Sequence, residues 1–482
     1  MSTLARHATR QRAASDIAMQ VVVRIMNLAL GAFVTALVVR TLGTSGYGRW
    51  STMFAVIAFV AYFANFGMEG VALREAAREP ERENEWIGSV IALRLLALVP
   101  VMAACFGALL ALPHNGEMLL AGGILLVAMP FGGVGALALL FQLRVDNRIP
   151  MLVLTIRSLL WAAAVVVIHI QKGGMVPLAI AMVATNLVGS IVQTVAALRL
   201  AERRPRPMMK HVRKLVTLAV PIGLSGLLII AYAQIDQVIV YSVSGSRDAG
   251  LYGAVYNLLN QSHFVPISIL TTLAPVLAAS WPHDPARLKR AARLTAELLS
   301  VVSFGGLAFA LAASGPVVRL IFGQEFSDAA PALPVLLGAF VLISYGYLNG
   351  NLMFVLNKQN KLLRISVYAL VVNVIGNLIL VPLLGFMGAA WMTFATEAIV
   401  FVATTRVVAS ELGIRRPAVG RIARTAGAAV ALGVLLAALR LLDAPLGVIA
   451  AAACLLYPAL LFGLRAIGPE DVQVLLKRRA SV

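Results

Sequence analysis

Charge is scarce in this sequence: 13% of its 482 residues are Asp, Glu, Lys or Arg, while 60% are hydrophobic. So few charges cannot clothe a water-soluble core of this size, which excludes a soluble enzyme or regulator. Cysteine is scarcer still. Cys105 and Cys454 lie in apolar runs far apart, so neither a disulfide framework nor a zinc cluster is indicated. The six histidines are scattered without ligand spacing, and there is no phosphate-binding P-loop. Gly132-Gly133-Val134-Gly135 sits inside an apolar run without the strand and helix of a nucleotide fingerprint, and reads as close helix packing. No loop on the outer side exceeds about twenty residues, so no extramembrane catalytic domain is expected and the chain reads as a non-enzyme with no resident metal.

Acidic residues are also few, 21 against 40 basic ones, for a formal charge of +19. In a soluble protein that excess would suggest nucleic acid. Here most Lys and Arg fall in short loops between apolar spans, where they set topology and touch anionic lipid, and no nucleic-acid partner is expected.

What the sequence has in abundance is apolar length. Fourteen runs can cross about 30 Å of hydrocarbon at roughly 20 residues each. Their limits are 17–40, 50–72, 86–112, 118–143, 151–170, 177–198, 215–241, 250–277, 294–314, 332–356, 363–384, 386–408, 418–440 and 445–467. The first continues for a full membrane width, unlike the short apolar stretch of a cleaved signal peptide. An even count puts both termini on one side. Arg6, Arg10 and Arg12, then Arg74/Arg78/Arg82, Arg144/Arg148, Arg287/Lys289, Lys358/Lys361, Arg415/Arg416 and Lys477/Arg478 occupy alternate loops, which predicts that both termini are cytoplasmic.

Internal similarity divides the chain further. Phe141–Arg148 matches Phe354–Lys361 at an offset of 213, and Gly46-Tyr47-Gly48 matches Leu251-Tyr252-Gly253 at an offset of 205. The expectation is an all-α polytopic membrane protein of two related six-helix lobes, 1–198 and 215–410, with two further spans and a tail at 411–482. Residues 199–214, with Arg203-Arg204-Pro205-Arg206-Pro207 at their centre, read as a basic cytoplasmic linker lying along the anionic inner leaflet.

Ionisable residues inside spans are costly and mark function or pairing. Arg24, Arg94 and Arg157 each lie roughly seven to nine residues in from the cytoplasmic end, a depth of about 10–13 Å at the helical rise. All three belong to the first half. Three guanidiniums at one level suit a cytoplasm-facing anion cavity, since Arg offers a permanent charge and a bidentate fork for phosphate. Pairing with Glu69 is the structural alternative for Arg94, and snorkelling to the interface for Arg157. Arg24 shares one helix face with Gln20 and Asn27.

In the second half, Tyr252, Tyr256, Asn260 and His263 make a stripe flanked by Asn257 and Gln261. Aromatic rings and amides suit sugars, by stacking and by matching hydroxyls, although polar packing between helices explains such a stripe equally. Asp236, near the outer end of span seven, and Glu397, in the middle of span twelve, join Glu69 as carboxyls that could carry a proton or bind Na⁺.

Arg40–Gly48, Gln234-Ile-Asp-Gln237, Ala249–Gly253, Ile321–Phe326 and the Asn373–Ala390 stretch, in this order and spacing, resemble bacterial oligosaccharide (polysaccharide) flippases of the multidrug/oligosaccharidyl-lipid/polysaccharide exporter superfamily. The resemblance covers nearly the whole chain. It implies two lobes around a central cavity, alternating access, and passage of an undecaprenyl-pyrophosphate-linked glycan to the outer leaflet of a bacterial inner membrane. It also implies that polysaccharide polymerase and chain-length proteins are partners, and by position it makes Arg24 a pyrophosphate ligand. The lipid II flippases and cation-coupled multidrug extruders of the same superfamily, and a non-transporting assembly scaffold, are the alternatives.

Overall fold

The computed structural model describes residues 3–130, 135–144, 148–201, 204–414 and 420–466, without the side chains of residues 3–25 and 28. Among them there is no strand, and the helices follow the apolar runs. In order these are α1 (Thr3–Asn65), α2 (Met68–Arg78), α3 (Glu83–Ala111), α4 (Gly116–Leu126), α5 (Leu139–Leu143), α6 (Arg148–Ile170), α7 (Met175–Leu200) and α8 (Met209–Ser262). They continue as α9 (Phe264–Ser280), α10 (Pro285–Phe322), α11 (Ala332–Val355), α12 (Gln359–Leu384), α13 (Phe386–Glu411), α14 (Gly420–Leu441) and α15 (Leu446–Gly463).

Among the described residues, eleven segments are long and apolar enough to cross a membrane, and two of them, 29–78 and 209–280, are 50 and 72 residues long. Since one crossing takes roughly 20 residues, each of those two is long enough for two crossings. The region of the fourth predicted span is the exception. Its described residues hold the short α4, a turn at 127–128, a 3₁₀ turn at Gly135–Ala138, and α5, so the helix is interrupted there.

Two expected loops are instead tight kinks. Helix α1 turns at Gly43 (φ 64°) and α8 at Gly245 (φ 87°), each with ψ near 180°. These angles lie in a region that essentially only glycine occupies, so helix resumes after a single residue. A further break at Phe66 (φ 39°) and Gly67 (φ 77°) separates α1 from α2 inside the second predicted span.

The chain forms two compact units, Arg12–Gly250 and Leu251–Val482 with Met1–Gln11. The first has a core of Val71, Trp86, Ile87, Leu140, Phe141 and Leu215, all nearly or fully enclosed. In the second, Leu270, Leu288, Leu352 and Met353 form one core, and α14 and α15 pack on α10 through Ala308, Leu432, Leu436 and Ile449.

The scarce carboxylates collect the basic loops. Buried Glu75 receives Lys214 Nζ at 2.8 Å, Arg74 at 3.1 Å and Arg78 at 3.2 Å, and Glu83 takes Arg144 in a two-pronged pair at 2.7 and 2.9 Å. In the other unit Glu411 holds Lys358 (2.9 Å) and Lys361 (3.2 Å), and Glu297 holds Arg293 (2.9 Å) and Arg421 (3.3 Å). These residues all belong to the predicted cytoplasmic loops and the helix ends beside them.

The linker is docked on the protein. The Arg206 N–H donates to the Asn84 carbonyl (3.1 Å), and the Met208 N–H to Ser89 Oγ (3.2 Å). His211, nearly enclosed, lies on the Trp86 ring at 4.2 Å with Nδ1 3.2 Å from Glu85. Lys214 stands over the other part of this group, 5.1 Å from the Trp86 ring centre.

Candidate functional site

Helices α1, α6 and α7 carry one polar group of the first unit. Asn27 Nδ2 donates to Thr155 Oγ1 (3.4 Å), and two residues further along α6 the Arg157 guanidinium donates to Asn186 Oδ1 at 3.0 Å. Asn186 is itself oriented by donating Nδ2 to the Met182 carbonyl at 2.8 Å. Arg157 thus has a neutral amide as its partner, which positions the guanidinium without cancelling its charge.

A second group surrounds the break in the second span. Gly67 starts α2, so Glu69 falls in its first turn, where the helix dipole favours a carboxylate. Arg94 of α3 pairs with Glu69 at 2.8 Å, and Asn65 Nδ2 donates to the other carboxylate oxygen at 3.3 Å. The Arg94 side chain is 10% exposed and that of Glu69 37%, so the carboxylate is the accessible end of the pair. The side chains of Gln20 and Arg24 lie outside the described residues.

In the second unit Tyr252 is fully enclosed, stacks on Tyr256 at 5.2 Å, and shares a hydrogen bond with Thr393 of α13 at 3.2 Å. Asn257 accepts from Gln261 at 2.7 Å, and Asn260 is exposed. The stripe is therefore split between helix packing at Tyr252 and an accessible amide at Asn260. Glu397 is 9% exposed on α13. On neighbouring helices Asn349 donates to Thr404 (3.1 Å) and Thr405 (2.9 Å), and Asn377 to the Asn373 carbonyl (2.9 Å). Asp236 belongs to the first unit. It is 3% exposed, beside Gln237, whose amide donates to Ser51 (3.0 Å), Thr52 (3.1 Å) and the Ala249 carbonyl (3.0 Å).

Asn186, Thr155 and Asn65 were not singled out in the sequence. Their signal was an amide or hydroxyl in an apolar span; Thr155 and Asn186 are met by residues of another helix, whereas Asn65 bonds Glu69 four residues on. Among the described residues, no three His, Cys, Asp or Glu side chains converge as a metal would require.

Long kinked helices, interrupted spans and charges within the spans define a polytopic membrane-protein fold. The fold matches a lipid II flippase, MurJ, in an inward closed conformation, with a TM-score of 0.70 and 13% identity over 91% of this chain and 97% of that one. It also matches an inward-facing multidrug-resistance MATE transporter of the MOP superfamily, with a TM-score of 0.62 and 15% identity over 81% and 96%. By sequence, residues 13–281 match the family described as polysaccharide biosynthesis protein, and the chain belongs to that family. It is 23% identical over 384 residues to the probable low-salt glycan biosynthesis flippase Agl15 of Haloferax volcanii, covering 78% of this chain and 79% of that protein.

Proposed function

We propose that the protein flips a lipid-linked oligosaccharide, carried on undecaprenyl pyrophosphate, from the cytoplasmic to the outer leaflet by alternating access. The observation that carries this reading is Arg157: a guanidinium in a membrane span, held by a neutral amide, in a chain of the polysaccharide biosynthesis family. A permanent cation with free donor capacity suits a pyrophosphate, whereas a cationic drug would call for carboxylates. The resemblance of this chain to a glycan-biosynthesis flippase supports the glycan part of the reading.

In this mechanism Arg24 and Arg157 capture the pyrophosphate. Arg94 joins them by exchanging the accessible Glu69 carboxylate for a phosphate oxygen. Gln20, Asn27, Tyr256, Asn257, Asn260 and Gln261 line the path of the sugars, with Tyr252 supporting the Tyr256 ring. The two six-helix lobes, 1–198 and 215–410, rock about the linker, and Asp236, Glu397 or Glu69 couples the cycle to H⁺ or Na⁺. The protein would work in the cytoplasmic membrane with both termini inside, beside polymerase and chain-length proteins.

The test is flipping of a fluorescent undecaprenyl-pyrophosphate oligosaccharide in reconstituted vesicles. Arg24→Gln and Arg157→Gln proteins that insert normally should lose transport, and wild-type rates in both would refute the phosphate assignment. Repeating the assay with and without a Na⁺ or pH gradient identifies the coupling ion.

A further inference from the structure

Two arginines and a carboxylate share one cavity in the first unit without pairing. The neighbouring carboxylates Glu75 and Glu83 are taken up by Lys and Arg. Glu85 is instead paired with His211, whose Nδ1 lies at 3.2 Å and which carries charge only when protonated. Among the described residues no Lys or Arg pairs with Glu85, and no carboxylate pairs with Arg204 or Arg206. Yet all three line a single cavity of about 550 Å³, together with Asn84, Pro207 and Met208. Its two walls are the start of α3 and the docked linker, tied to each other by the Arg206 N–H on the Asn84 carbonyl (3.1 Å) and the Met208 N–H on Ser89 Oγ (3.2 Å). Main-chain bonds therefore fix the width of the cavity, and the side chains that line it are left for a ligand.

From this lining we propose that the cavity binds the headgroup of an aminophospholipid, a phosphate diester that ends in a primary ammonium, as in phosphatidylethanolamine. Arg204 and Arg206 hold the phosphate through their guanidinium forks, and the ammonium donates to the Glu85 carboxylate. A purely anionic ligand would meet Glu85 as a repulsive neighbour, and a purely cationic one would meet two guanidiniums, so a zwitterion fits the lining best. The volume is within the range of about 300–1,000 Å³ common to small-molecule sites. Two features make the source a lipid. The third and seventh predicted spans begin at residues 86 and 215, which puts the cavity at the ends of two spans, where headgroups lie. From its rim, Met209, Val216, Val220 and Leu224 are exposed along one face of α8 at i, i+7, i+11 and i+15. That stripe is about 22 Å long at the helical rise, enough to carry an acyl chain. Arg213, also exposed on this face, is long enough to return its charge to the headgroup level. The proposal needs only a membrane around the chain and is independent of what the protein transports.

The experiment titrates the full chain in detergent with phosphatidylethanolamine, phosphatidylglycerol and phosphatidylcholine of identical acyl chains and counts bound lipid by native mass spectrometry. The first phosphatidylethanolamine should bind more tightly than either of the others, since phosphatidylglycerol lacks the ammonium and phosphatidylcholine lacks its N–H donors. Glu85→Gln should weaken phosphatidylethanolamine about tenfold, the order expected for one lost charge-assisted hydrogen bond, and leave phosphatidylglycerol unweakened. The Arg204→Gln/Arg206→Gln double variant, altered only at exposed side chains, should weaken both lipids, and it keeps the test open if Glu85→Gln does not fold. Equal binding of the three lipids by the unaltered protein, or a phosphatidylethanolamine preference that survives in every variant that folds, would overturn the proposal. Soluble glycerophosphoethanolamine should compete only in large excess, because it has no chains for the α8 stripe. Displacement at the concentration of the lipid itself would give the cavity to a soluble phosphate ester and overturn the lipid assignment.

Discussion

At Arg94 the chemistry of one pair sets two expectations. An almost enclosed guanidinium bound to a part-exposed carboxylate is neither a buried ion pair nor a surface one. Arg94→Ala should lower stability by about 1–3 kcal/mol, less than a fully buried pair would lose because water screens Glu69. The Glu69→Gln/Arg94→Gln double variant should lose less than the sum of its single changes, as read from thermal midpoints in detergent. Arg157 behaves differently because its partner is neutral. Arg157→Lys keeps the charge but loses the planar fork, so insertion and thermal midpoint should be retained while the flipping rate falls. The Arg94–Glu69 pair was legible in the sequence, since depth along two consecutive antiparallel spans can be counted. Asn186 was not, because its contact with Arg157 depends on the rotation of α6 against α7, and residue order does not encode that angle.

Among the elements, the linker changed most between sequence and structure. Its prolines and arginines predict a polar segment on the inner leaflet, yet 204–208 runs along the first turns of α3. The reason is Gly88: a Cβ there would lie 2.5 Å from the Arg206 backbone, so the linker can approach only a residue without a side chain. Gly88→Val should release the segment, measured as faster hydrogen–deuterium exchange at the Arg206 and Met208 amides in the folded protein. Trp86→Ala removes the enclosed ring that carries His211 and Lys214, and should cost about 3–5 kcal/mol as a large-to-small core change. The second span likewise read as one apolar run, because the Phe66–Gly67 break costs no apolar residue and leaves no trace in hydropathy.

For the whole molecule, the alternation of basic loops makes a topological prediction. In a background lacking Cys105 and Cys454, a cysteine at Gln171, in an exposed turn, should react with a membrane-impermeant reagent from outside. One at Asn360, beside Lys358 and Lys361, should react only after the membrane is opened. The reverse pattern would invert the orientation, and with it the direction of transport. Helical class and the long apolar segments were determined by the sequence alone, because a bilayer demands long apolar runs whose backbone bonds close within each segment. Only the tertiary structure decided the broken spans, the docked linker and the partner of Arg157. Lipid tails are as apolar as the helix faces, so hydrophobicity tells a span that it is in the membrane but not which neighbour it touches, and that choice falls to small residues and polar pairs brought together from distant parts of the chain.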